Sequence, residues 1–322
     1  QKPLFHLPEV DTVGTDEHGV IRATIQGGSA YLKIADGCRR PCAFCSIPLI
    51  KGTAVSRPLD VIAHEALQLQ VMGIKELILI AQDTTDYGSD LGMKEGLAEL
   101  LDAITASAPW IPWIRVLYAY PGYVSDRLID TMVAHKQILP YLDIPLQHAH
   151  PGTLLRMGRP ANMDWVRSTI AKMRAAMPDL ALRTTFIVGY PGETDSEFQT
   201  LLDFVSEMRF DRIGVFPFSF EPGTTSEALG DPIPSAIKQE RLDQLLSLQE
   251  KISLEKNQAF IGKELDILVE GFNNGLTVGR SFRDAPEIDG LVIAEGKASI
   301  GDLVKMRITG ALTHDLTGIL KE

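Results

Sequence analysis

Six short, mostly apolar runs recur along the first two thirds of the chain: AYLKIAD (30–36), ELILIAQD (76–83), WIRVLYAY (113–120), YLDIPLQH (141–148), ALRTTFIVG (181–189) and RIGVFPFS (212–219). Their near-continuous apolarity predicts strands buried on both faces of a parallel sheet. The segments between them are long enough for crossover helices. Two of those helices announce their ends: one runs from about Pro58 to Met72, with Pro at its start and Gly73 just past its end. The other begins at Thr194, where T-D-S-E forms a capping box with Glu197, and Phe198, Leu201, Leu202 and Val205 follow at helical spacing. Repeated β-α units of this kind predict an α/β fold, an incomplete TIM-like (β/α)6 barrel, with a doubly wound sheet as the main alternative.

A long helical segment, about 235–259, leads to a different texture. From Gly262 onward short strands and turns follow one another (ELDILVEGF, LTVGRS, GLVIAEG, DLVKMRITGAL), and Asn274-Gly275 is a strong hairpin signal. Strands at this density predict a small, all-β, five-stranded OB-like barrel. The chain therefore divides into a polar lead-in over 1–28, with one candidate strand at Val20–Ile25, a barrel domain over 29–257 and a β domain over 258–322.

Composition narrows the class. A chain of 322 residues with 45% apolar and 23% charged residues is that of an ordinary globular protein. It has no run near the ~20 apolar residues of a membrane helix and no signal-peptide pattern at its start, so a cytoplasmic location is expected. The formal net charge of −11 argues against broad affinity for nucleic acid and leaves a local basic patch open. Residues 258–322 carry 7 Lys/Arg and 10 Asp/Glu, a net of −3.

All three cysteines, Cys38, Cys42 and Cys45, lie in GCRRPCAFCSIP (37–48), with spacing C-x3-C-x2-C. No disulfide framework can be built from them, and their clustering points to metal or redox chemistry. Such a loop can hold three corners of a 4Fe-4S cluster and leave one iron free for a substrate. The alternatives are a structural zinc site completed by a histidine such as His148 or His150, and a redox loop. Cys38 follows the first strand, where a barrel of this type gathers its active-site loops.

This spacing, with the aromatic Phe44 before the last cysteine, resembles the radical S-adenosylmethionine (SAM) superfamily. The stretches AYLKIADGCRRPCAFCSIP, LILIAQDTTDYG, YLDIPLQHAH, MGRP and TTFIVGYPGET, followed by a β-rich end similar to a TRAM domain, look like its methylthiotransferase family. They cover nearly everything after residue 29. The resemblance implies a 4Fe-4S cluster on Cys38, Cys42 and Cys45 that chelates SAM and cleaves it to an adenosyl radical, so that C-H can be replaced by C-SCH3. It implies a need for an electron donor and for a second cluster, carried by a further N-terminal domain. No cysteine lies outside 38–45 and the chain opens on Gln1, so it is expected to be the radical-SAM and TRAM portion of a longer enzyme.

GRSFRDAPEIDG (279–290) and DIPLQHA (143–149) look like the RimO-type branch, which modifies the β-carbon of an aspartate in a small-subunit ribosomal protein of the decoding region. The acidic residues Asp284, Glu287 and Asp289 are expected to complement such a basic partner. A branch acting on a tRNA adenosine beside the anticodon is the alternative, although a tRNA-reading module should be basic. A non-catalytic, zinc-bound RNA-binding adaptor is a third reading.

Among the further candidates, Phe44 resembles the position lying against the SAM adenine. Gln82 and Asp83 end the second strand, and Gln147 and His148 the fourth, so all four can reach the barrel mouth. Gln147 is the preferred SAM or substrate contact of the four, and His148 reads rather as a structural histidine. Arg159 is expected to pair with the SAM carboxylate or a substrate carboxylate, whose fork a guanidinium matches. Thr185 is a candidate SAM contact, and Gly189 with Pro191-Gly192 permits a tight turn near the cofactor. Tyr118 and Tyr120 are candidates for lining the pocket.

Overall fold

The structure, a computed structural model, describes residues 23–321. The lead-in up to residue 22, including the first half of the strand expected over 20–25, lies outside the described residues. The chain enters through β1 (Thr24–Gln26), β2 (Ser29–Lys33) and β3 (Ala35–Asp36). The short helix α1 (Ile47–Lys51) and β4 (Val55–Ser56) follow the cysteine loop, and β3 and β4 pair with each other. Then come α2 (Leu59–Val71), β5 (Glu76–Ile80), α3 (Gly96–Ser107), β6 (Trp113–Val116), α4 (Asp126–Ala134) and β7 (Ile138–Asp143). The unit ends with α5 (Pro151–Arg156), α6 (Met163–Ala176), β8 (Ala181–Val188), α7 (Asp195–Met208), β9 (Arg212–Pro217) and α8 (Ser235–Gln258).

Strands lie in the order β1-β2-β5-β6-β7-β8-β9, all parallel from β2 to β9, with β1 antiparallel at the edge. The order never reverses. A doubly wound sheet would reverse it at its switch point, so the six parallel strands are the incomplete barrel that their alternation with helices predicts. One face of each strand packs under the helices, through residues such as Leu77, Leu79, Ile114, Val116, Leu142, Leu182 and Phe186. The capping box at the start of α7 forms as expected: the Thr194 hydroxyl accepts from the Glu197 N–H, and the Glu197 carboxylate accepts from the Thr194 N–H. Among the described residues no helix is long and apolar enough to cross a membrane.

The remaining strands, β10 (Glu264–Asn273), β11 (Leu276–Arg280), β12 (Val292–Glu295), β13 (Leu303–Ala311) and β14 (Leu316–Leu320), close into a barrel in the order β10-β11-β12-β14-β13. Asn274 and Gly275 make the hairpin between β10 and β11 with φ of 51° and 81°, the left-handed pair that a tight two-residue turn requires.

The small barrel packs against the inner face of the large sheet. Leu268, Phe282, Ala285 and Leu303 meet Ile78, Trp113, Leu117, Leu139, Tyr141 and Ala181. Around this apolar patch runs a buried ionic network. Glu76 takes Arg115 at 2.7 Å and Arg280 at 2.6 Å, Arg212 holds Asp284 at 2.9 Å, and Arg183 stands between Asp143 at 3.1 Å and Asp289 at 3.4 Å. Tyr141 donates its hydroxyl to Asp289 at 2.6 Å. This corrects the reading of the acidic loop: Asp284 and Asp289 are buried against arginines of the chain itself and cannot face a basic partner. Only Glu287 is exposed, and it accepts from the Gln26 side chain.

Two carboxylates of the network titrate in opposite directions. Burial would raise the Glu76 carboxyl, but Arg115 and Arg280 outweigh it and hold it at about 2. Its folded value lies below the unfolded value of roughly 4.3, so its stabilisation is present above that pH and is lost as the pH falls through 2. Asp143 is pushed by burial up to about 6, against the pull of Arg183 and with Asp289 adding to the rise. Here the folded state holds the extra proton, so the associated stabilisation is complete below about pH 4 and disappears as the pH rises through 6. Asp289 is raised by burial in the same way, so urea titrations at a series of pH values should show a loss of stability between pH 4 and 6.5 that is clearly smaller in Asp143→Asn. Parallel curves for the two proteins across that window would refute the assignment.

Candidate functional site

The small barrel fills the lower part of the large barrel's inner face, which leaves the upper part, at the C-terminal ends of the strands, open. There a cavity of about 320 Å³ is lined by Cys38, Arg40, Cys42, Phe44, Cys45, Ile47, Ala81, Gln82, Tyr118, Ala119, Tyr120, Pro145, Gln147 and Arg159. Larger hollows, such as one of about 610 Å³ between α3, α4 and α6, lie away from the cysteines.

The cysteine loop is held from several sides. Gly37, at φ 75°, approaches so closely that a Cβ would stand 2.0 Å from the Thr53 carbonyl oxygen, and the Cys38 N–H donates to Gly52 O at 3.1 Å. In the middle of the loop both backbone groups of Ala43 are engaged: its N–H donates to Met157 O, and its carbonyl accepts from the Ser226 N–H, each at 2.8 Å. Gly158, at φ 65°, lets the Met157–Arg159 turn press against Pro41, where a Cβ would lie 2.2 Å from the carbonyl oxygen. Arg40 fastens the loop to the segment after β5. It pairs with Asp83 at 2.6 Å and Asp86 at 3.5 Å and stacks over Tyr120 and Tyr123.

All three thiols are unpaired and half-buried. Burial pushes those of Cys38 and Cys45 up, a penalty removed when a metal takes the place of the proton. The Cys42 sulfur has two polar neighbours, the Tyr120 hydroxyl at 3.8 Å and Arg159 Nη1 at 3.4 Å. Among the described residues no three His, Cys, Asp or Glu side chains converge as a ready-made cage for a metal ion.

Gln82 and Gln147 each turn into the cavity wall with a buried Oε1 that no protein donor reaches. Gln147 also sits at φ 73°, a strained conformation for a residue with a side chain, pinned by its N–H to Thr185 O and its carbonyl to the Ile187 N–H, both at 2.8 Å. An unsatisfied buried carbonyl costs about 1–3 kcal/mol, so two of them beside three thiols fit a polar ligand placed over a metal group.

Of the residues that the sequence pointed to, Cys38, Cys42, Phe44, Cys45, Gln82, Gln147, Arg159, Tyr118 and Tyr120 come together around this cavity. Thr185 and Gly189 are not among its lining residues. The Thr185 hydroxyl accepts from Arg183 at 3.4 Å, and Thr185 meets the site only through its carbonyl, which holds Gln147. Gly189 donates its N–H to Glu193 and makes room for the Lys238 side chain of α8, which a Cβ would meet at 2.4 Å. Asp83 turns away to accept from Thr85 and pair with Arg40. His148 is fully buried, with Nε2 on Glu193 at 3.2 Å and Nδ1 accepting from the His150 N–H at 2.9 Å, the structural histidine expected.

Residues 32–205 match the family model described as the radical SAM superfamily, and residues 261–320 match that of the TRAM domain. The ribosomal protein uS12 methylthiotransferase RimO of Roseiflexus sp. (strain RS-1) is 52% identical over 307 residues, covering 94% of this chain and 65% of the relative. The protein of the same name from Chloroflexus aurantiacus is 48% identical over 303 residues, covering 92% and 67%. The chain belongs to the radical SAM superfamily and its RimO methylthiotransferase family.

This membership extends to the fold. The radical SAM methyltransferase TsrM from Kitasatospora setae, solved with cobalamin and a 4Fe-4S cluster bound, superposes with a TM-score of 0.52 at 14% identity. The match covers 78% of this chain and 42% of that one. Against the Roseiflexus relative the chain spans just under two thirds of the length. Three residues that hold the cysteine loop escaped the sequence reading: Arg40, Ala43 and Gly158. Arg40 and Ala43 lie inside the cysteine loop and Gly158 inside MGRP, so position marked them; the partners that give them a role, Asp83, Ser226 and Pro41, are distant in sequence.

Proposed function

We propose that Cys38, Cys42 and Cys45 bind a 4Fe-4S cluster whose open iron takes SAM, and that the whole enzyme inserts a methylthio group at the β-carbon of an aspartate in ribosomal protein uS12. The three free thiols facing two unpaired buried glutamine carbonyls at the C-terminal mouth of the barrel carry this reading. When bound, the cluster supplies reductive cleavage of a sulfonium and so hydrogen abstraction from an unactivated carbon.

The chain's own residues do the rest. Gln82 and Gln147 accept from the N–H and O–H groups of the bound cofactor, and Phe44 offers it a flat apolar surface. The apolar walls Ile47, Ala81, Ala119 and Pro145 exclude water, and the pinned backbone of Gln147 keeps its carboxamide in place. The substrate class comes from the named relatives. The division at residues 257 and 258, a cytoplasmic setting, an external electron donor and a second, sulfur-delivering cluster on the part of the relatives outside this chain complete the proposal.

Anaerobic reconstitution with iron and sulfide tests it. About four irons per chain are expected, with the broad visible absorbance of a cubane, and Cys38→Ser, Cys42→Ser or Cys45→Ser should remove most of both. Stoichiometric zinc with no iron uptake would defeat the cluster assignment. For the substrate, the full-length enzyme should transfer label from methyl-labelled SAM to uS12; label in tRNA and none in uS12 would overturn that part.

A further inference from the structure

The sequence assigns Arg159 to a carboxylate, and the structure gives it none. Among the described residues no Asp or Glu pairs with it, although only 7% of its surface is exposed. Arg40, the other guanidinium beside Tyr120, is compensated by Asp83 and Asp86. A buried cation without a counter-charge is unstable, so its anionic partner must come from elsewhere in the site.

Its surroundings identify that partner. Nη1 donates to the Cys42 sulfur at 3.4 Å, Nη2 donates to Pro145 O, and the guanidinium lies 4.1 Å from the centroid of the Tyr120 ring, whose other guanidinium neighbour is Arg40 at 4.6 Å. Nε alone is left unbonded. The side chain is thus held between an aromatic face and a carbonyl with one N–H aimed at sulfur. Its backbone belongs to the same turn that Gly158 presses onto the cysteine loop, and the Arg159 N–H is bonded to Leu154 O at 2.8 Å.

Resting on the cluster reading above, we propose that Arg159 is a positioning residue for electron transfer: its N–H on the Cys42 sulfur stabilises the reduced cluster and raises its midpoint potential. Reduction adds one electron, supplied by a chemical reductant, to a cluster whose ligand sulfurs then carry more negative charge. A fixed cation and an N–H donor at one of those sulfurs favour that state, because potentials follow hydrogen bonds to sulfur and net local charge.

The test is a potentiometric titration of the reconstituted chain without SAM, followed by electron paramagnetic resonance. Arg159→Met and Arg159→Gln should bind normal iron and sulfide with the reduction equilibrium shifted about tenfold against reduction, 59 mV more negative for a one-electron couple. Arg159→Lys should shift less. Unchanged potentials at full iron content would overturn the proposal, most clearly if affinity for SAM fell instead, since Arg159 would then be the carboxylate contact that the sequence suggested. If none of the three variants held iron, Arg159 would be a residue of loop folding and the proposal would likewise fall. A parent chain that takes up no cluster refutes the underlying site assignment, an outcome distinct from all of these.

Discussion

Replacing Arg280 by methionine is expected to lower the stability of the chain by roughly 3–5 kcal/mol, the usual cost of stranding one member of a buried ion pair. The Arg280 side chain is fully buried. It ties Ser29 and Glu76, at the starts of two parallel strands, to Glu270 and the Asp284 carbonyl of the small barrel. Without it, Glu76 keeps Arg115 but loses the partner that sits 2.6 Å away, in surroundings where water cannot substitute. Trp113 lies in the same interface, so its fluorescence reports the loss during urea denaturation. Glu76→Gln should cost about as much, because it leaves the buried Arg115 without a carboxylate, and should also weaken the acid sensitivity expected from a carboxyl held at about 2. If Arg280→Met unfolds within about 0.5 kcal/mol of the parent, the spread of ordinary surface substitutions, the interface is not held by this network.

Replacing Gly158 by alanine should abolish cluster assembly while leaving the barrel folded. The added Cβ would stand 2.2 Å from the Pro41 carbonyl oxygen, a backbone atom that cannot swing aside as a side chain would. Relief requires the Met157–Arg159 turn and the cysteine loop to separate, which breaks the bond from the Ala43 N–H to Met157 O and withdraws Arg159 from Cys42. Gly73→Ala is the matching control. Gly73 has φ 86°, but its Cβ would meet nothing within 4 Å. It should cost about 1 kcal/mol of left-handed strain and leave iron binding intact. Iron and sulfide analysis after reconstitution, beside urea denaturation of each apo-protein, separates the two. Full iron in Gly158→Ala would show that the loop tolerates the displacement.

These two sites mark where reading the chain from its residues stops. The strands, the capped α7, the Asn274-Gly275 hairpin and the cysteine spacing are signals within a few residues of one another, and local sterics and hydrogen bonding are enough to realise them. The barrel form followed from repeated β-α alternation, and the cavity residues at the ends of β5 and β7 followed from strand direction.

Arg159 and the acidic loop were different. Both look in sequence like charges awaiting an external partner. Asp284 meets Arg212, 72 residues away, and Asp289 meets Tyr141, 148 residues away, only after the small barrel has docked on the sheet. Gly189 reads as a turn beside a cofactor until α8 brings Lys238 against it. What the sequence determined by itself was therefore the set of elements and the cysteines and glutamines that line the mouth of the barrel, since each is encoded by neighbours along the chain. Which charges are spent inside the molecule, and which remain for a sulfur or a ligand, was decided by tertiary structure alone, because buried charges must be matched by groups brought together from distant elements.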